Sequence, residues 1–155
     1  MKLPPCAAQT LERWLSSADL ARANLVCSGL PARLVKRLNR AGITLGKTVL
    51  FGEGHYNPFS PEGLALMAHE LKHVEQYGKE GTMGFLAKYL WHWVTQGFKY
   101  SEEIPFEKEA FELERKVMEH LQREFAVNGH RGPCVRDAQG KAIANANYRE
   151  LPLAA

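Results

Sequence analysis

The chain has 155 residues, 45% of them hydrophobic and 24% charged, with a formal net charge of +3. That composition suits one globular domain with its own core. So mild a charge gives no reason to expect nucleic acid or an anionic membrane as the main partner, and no run approaches the ~18 apolar residues of a spanning helix.

Residues 1–9 are Pro-rich and are expected to be a flexible N-terminus. They hold no apolar h-region, so they do not read as a secretory signal peptide. The expected location is cytoplasmic, or secreted by a route independent of a signal peptide. Cys6, Cys27 and Cys134 are odd in number and far apart, with no CxxC pair. Disulfides and a cysteine zinc site are not expected, and a reducing compartment fits.

Thr10 to about Leu25 carries an irregular apolar stripe and reads as helix, with a break near Ser16–Asp19. Cys27-Ser28-Gly29 reads as a turn. Pro31 opens a clearer helix whose apolar positions are Leu30, Leu34, Val35 and Leu38, with Gly42 as its stop. Its basic residues Arg33, Lys36, Arg37 and Arg40 read as a solvated face. Ile43 to Phe51 is rich in β-branched and apolar residues and predicts one or two short strands. Gly52 to Pro58 is a loop, and His55 within it reads as a plain loop histidine.

Ser60-Pro61-Glu62 combines a capping hydroxyl, a first-turn proline and a first-turn acid. The helix it starts should run to Tyr77 and stop at Gly78. Met67, Leu71 and Val74 make its packing stripe. Ala65, His69, His73 and Gln76 make a separate face, and Lys72 and Glu75 point to solvent. A second helix follows from Gly81 to Gln96, with Phe85, Leu86, Tyr89, Leu90, Trp93 and Val94 at helical spacing. Ser101 to Ile104 connects to a third, from Pro105 to about Val127, with Phe106, Ala110, Leu113, Val117, Leu121 and Phe125 on its core side. Residues 129–155 lack periodicity and read as an extended tail. The main domain is therefore 10–128.

His69-Glu70-Leu71-Lys72-His73 is an HExxH motif. Residues four apart share a helix face, so His69 and His73 can present two imidazoles to one ion. Glu70 stands beside them, free to act on a water rather than to ligate. A catalytic zinc site needs a third protein ligand. The metzincin positions for one are Gln76 and Lys79, which excludes that class. On the third helix Glu109, Glu112 and Lys116 share a solvated face. Glu107 shares a mostly apolar strip with Ala110, Phe111, Glu114 and Met118, where a carboxylate needs a partner. Glu107 is the preferred ligand, with Glu109 and Glu114 as fallbacks, and Zn2+ is the expected ion.

His69-Glu70-x-x-His73 followed by Glu107-x-x-Ala110 resembles the gluzincins, the zinc metallopeptidases whose third ligand is a glutamate on a later helix. His69-Glu70-Leu71-Lys72-His73-Val74-Glu75-Gln76 is more closely similar to a bacterial HExxH domain found near extracellular contractile injection systems and in toxin-like proteins. The likeness covers roughly residues 30–115. It implies a zincin-like α+β fold, mostly helical with a small β-sheet and the HExxH motif on an active-site helix. It implies a zinc-dependent metallopeptidase acting on a peptide or protein substrate by metal-activated water, with Glu70 as general base. Where some gluzincins have an aspartate four residues after the ligand glutamate, this chain has Phe111, so an orienting partner for the histidines must come from elsewhere.

Tyr77, Tyr89, His92 and Tyr100 are the donors available for a developing oxyanion. The alternative reading is a zincin-like module that binds metal without turnover and serves binding, assembly or effector roles. Its partner would be an inhibitory or secretion-system protein; neither nucleic acid nor membrane is expected. A switch in which Cys134 caps the metal is weaker than a free tail cysteine.

Overall fold

The computed structural model describes residues 1–95, 97 and 104–153. Pro4 and Pro5 lead into α1 (Pro5–Leu11), where a missing N–H costs nothing. Leu3, Cys6, Ala7 and Leu11 are buried. The expected flexible N-terminus is thus a packed element, because its few apolar residues find core partners that no local pattern announces. Ser16 caps α2 (Ser17–Arg22) by accepting from the Asp19 N–H at 3.2 Å. That confirms the break near Ser16. Beyond it the expected helix gives way to a strand, β1 (Asn24–Val26).

β2 (Gly42–Leu45) and β3 (Thr48–Phe51) form a hairpin through Gly46, whose φ of 61° suits glycine. β1 adds parallel to β3, with Leu25 opposite Val49, so the sheet order is β1-β3-β2. Parallel pairing requires a crossover, which α3 (Gly29–Arg37) supplies while packing against β3. Ala32 and Val35 face inward. The leucines expected on that side do not: Leu30, Leu34 and Leu38 are 79%, 59% and 55% exposed.

α4 (Pro61–Thr95) lies against the sheet and carries both histidines. Met67, Leu71 and Val74 are buried, as the stripe predicts. The helix does not stop at Gly78. A Cβ there would overlap the Arg22 guanidinium, which donates to the Val74 carbonyl. Gly78 is therefore a packing glycine, and the break comes at Gly81, with φ 71° and ψ 158°. It divides α4 into 61–80 and 82–95. On the second part Phe85 is buried, whereas Leu86, Leu90 and Val94 are exposed rather than core.

α5 (Pro105–Val127) matches its expected bounds and packs along α4. Past it the tail is more ordered than expected. β4 (Cys134–Arg136) and β5 (Ala142–Ala144) form a second hairpin. Arg13, His120, Tyr148 and the Leu151 N–H all meet the fully buried Glu124, with Arg13 Nη1 at 2.6 Å and Tyr148 Oη at 2.6 Å. Cys6 and Cys134 are joined by a disulfide across a separation of 128 residues. Both cysteines are buried. This corrects the expectation of free thiols: spacing along the chain is blind to a tail that returns to α1. It also removes the metal-capping role for Cys134. No helix among the described residues is long and apolar enough to cross a membrane.

Candidate metal centre

The 61–80 part of α4 places His69 above His73, and the first turn of α5 brings Glu107 opposite them. Glu107 Oε2 is 3.6 Å from Nε2 of His69 and 3.6 Å from Nε2 of His73. All three ligand atoms fall within 4.8 Å of one another, and all three residues are buried. Bonds of about 2.0–2.2 Å to a tetrahedral ion would set ligand atoms about 3.3–3.6 Å apart. The two distances to Glu107 are within that range, and a donor set of two imidazoles and a carboxylate is one that can hold a metal ion such as zinc.

The outer nitrogens are occupied in a way that aims the inner ones. Nδ1 of His69 is 2.9 Å from Glu114 Oε2, and Nδ1 of His73 is 2.8 Å from Gln76 Oε1. Each acceptor favours a proton on Nδ1 and leaves Nε2 to face Glu107. Gln76 is held in turn, donating to the Phe106 carbonyl at 3.0 Å and to Glu109 at 3.1 Å. Of the three glutamates weighed as ligand, Glu107 joins the cluster, Glu114 orients a histidine, and Glu109 stands outside. Glu114 thus fills the place that Phe111 leaves open. Phe111 itself packs edge-on to His69 with ring centroids 4.6 Å apart.

Glu70 projects toward β2. Its Oε2 accepts from the Thr44 hydroxyl at 2.6 Å. Gly42 makes room for it, since a Cβ at that position would overlap the Glu70 carboxylate. Burial pushes Glu70 above the usual carboxylate range, while His73, the Thr44 hydroxyl and His69 pull it back. For His69 burial works against the charged form. Its carboxylate partners Glu107 and Glu114 outweigh that and raise it from 6.5 to about 9. Thr44 and Gly42 were not foreseen. Their alternation on a short strand was the available signal, but only the packing of α4 on β2 shows which glutamate they serve.

A cavity of about 290 Å³ opens beside the cluster. It is lined by Glu70, both histidines and Glu107 together with the apolar and aromatic side chains of Ile43, Leu45, Tyr77, Phe85, Leu86 and Tyr89. Arg40, read as part of a solvated face, also lines it. Tyr89 donates to Glu107 Oε1 at 3.3 Å. Of the four donors considered for an oxyanion, Tyr77 and Tyr89 line the cavity and His92 is not among its lining residues. Tyr100 lies outside the described residues. His55 takes no part in the cluster.

The family whose description is "eCIS core domain" matches residues 2–81, just over half of the chain. No curated protein and no solved structure matches it.

Proposed function

The chain belongs to the eCIS core domain family, which associates it with extracellular contractile injection systems; from that premise we propose that it is a zinc-dependent metallopeptidase with a zincin-like site. The observation that carries the proposal is the convergence of Glu107 Oε2 on both histidine Nε2 atoms, with the Glu70 carboxylate beside them in the same cavity. His69, His73 and Glu107 would hold the ion, which when bound supplies a Lewis acid that brings the pKa of a water near 7. Glu70 takes a proton from the attacking water and hands it to the departing amine. Thr44 and the space above Gly42 hold that carboxylate in place. Tyr77 and Tyr89 are the hydroxyls available to the substrate carbonyl oxygen. Substrate is a peptide or protein.

Glu70→Gln separates binding from turnover. The variant should take up zinc as the wild type does and hydrolyse casein or a mixed peptide library no faster than background. Equal hydrolysis by both proteins would end the proposal. Zinc uptake with no hydrolysis by either would favour the second reading, a metal-binding assembly module of the injection system, which the family match supports.

The disulfide between Cys6 and Cys134 supports delivery to an oxidising compartment over residence in a reducing one. Alkylation and mass measurement of the chain recovered from each compartment would test this, and a fully reduced chain outside the cell would refute it.

A further inference from the structure

α3 turns its leucines outward. Leu30, Leu34 and Leu38 recur every fourth residue and are 79%, 59% and 55% exposed, a continuous apolar ridge on a helix whose opposite side, Ala32 and Val35, is fully packed. Isolated exposed leucines need no explanation, but an aligned row does. Arg33 and Arg37 run alongside it, with Lys36 further round, and all three are exposed. From Ser28 to Arg40 the chain has no acidic residue. Among the described residues Lys36 pairs with Glu53 at 3.9 Å, with both side chains more than half exposed. The chain-wide charge of +3 hides this local concentration.

We infer that α3 is a docking ridge for an anionic phospholipid surface. The ridge is apolar and the charge its own helix carries is of one sign, since Arg33, Lys36 and Arg37 are exposed and no acidic residue lies between Ser28 and Arg40. An interfacial helix needs an apolar row that enters the headgroup boundary and basic residues beside it that pair with lipid phosphates. Arginine suits that pairing because its guanidinium binds phosphate through two parallel hydrogen bonds. The expectation of no membrane partner rested on net charge, on spanning length and on reading Arg33, Lys36, Arg37 and Arg40 as a solvated face. The first two do not bear on a helix lying in the interface, and the exposed leucine row beside the basic residues is what a merely solvated face would lack.

Flotation of the full chain with vesicles tests the inference. The chain should float with phosphatidylcholine–phosphatidylglycerol vesicles and stay behind with phosphatidylcholine alone. Leu34→Asp and, separately, Arg33→Ser with Arg37→Ser should each lower the bound fraction at least roughly tenfold. These residues are exposed, so an unchanged circular dichroism melt is expected for each variant, and Leu30→Asp serves if either fails to fold. No flotation with the anionic vesicles would overturn the inference and leave the ridge to a protein partner. Flotation that is equal on neutral vesicles, or undiminished in the variants, would overturn it too.

Discussion

Glu114 Oε2 lies 2.9 Å from Nδ1 of His69, two helical turns along α5 from Glu107. One helix therefore supplies both the third candidate ligand and the group that aims His69. Carboxylate partners of this kind fix the tautomer and raise the basicity of the imidazole. Glu114→Ala should weaken zinc binding about 10–100-fold, with Glu114→Gln intermediate because its amide oxygen can still accept. Competition against a chromophoric chelator reads this directly. Glu112→Ala, on the same helix and outside the cluster, is the control and should change affinity little.

The Thr44 hydroxyl donates to Glu70 Oε2 at 2.6 Å and, bifurcated, to the Glu70 backbone carbonyl at 3.1 Å. Thr44→Val keeps the shape and removes the donor. The carboxylate then loses a bond that favours its charged form, so its pKa rises further. A general base must be ionised, so the acid limb of the pH–rate profile should move to higher pH. Stability should fall by about 1–3 kcal/mol, the cost of stranding a buried polar group. A profile that does not move would show that Glu70 is not the base.

His69 gives a pH dependence of definite sign. Without metal its folded pKa is about 9 against 6.5 for the free side chain. Protonation therefore stabilises the metal-free fold, by roughly 3 kcal/mol at most for a shift of that size. That contribution is fully present below 6.5 and is lost as the pH rises through about 9. Metal uptake runs the other way, because the imidazole must give up its proton to bind. Thermal melts with chelator should fall across this window while zinc affinity climbs. Calorimetry in two buffers of different ionisation heat should register proton release on binding.

The features that could be read from the sequence were the local ones. His69, Glu70 and His73 are fixed relative to one another by helix geometry alone, and Ser60-Pro61-Glu62 marks where that helix begins. Glu107 was separable from Glu109 because its helix face is apolar, which is again a local property. Periodicity says that a stripe exists but not which side is covered. On α3 the leucine and arginine rows are neighbours, and the sheet took the Ala32–Val35 side instead. β1, the Thr44–Glu70 bond and the Glu124 cluster all join residues distant in sequence, so no window of the chain contains them.

The Cys6–Cys134 bond is a covalent link of the same kind and sets the last prediction. It closes a loop of 128 residues between α1 and β4. Chain-entropy reasoning puts the stabilisation from a loop of that length at about 5 kcal/mol as an upper value, since the reduced chain keeps residual structure. Both sulfurs are buried in the main core, so removing the bond leaves packed side chains rather than an exposed strap. Cys6→Ser with Cys134→Ser should therefore lower the denaturation midpoint strongly, and dithiothreitol should lower that of the wild type by a similar amount. Cys27→Ser should do neither, because that thiol is free. The metal cluster is held by α4 on α5, so the folded double variant should bind zinc with affinity close to wild type. A wild type indifferent to reductant would mean that the bond does not form. A double variant that loses zinc while still folded would mean that α1 and the tail hairpin help to hold α4 and α5 in register.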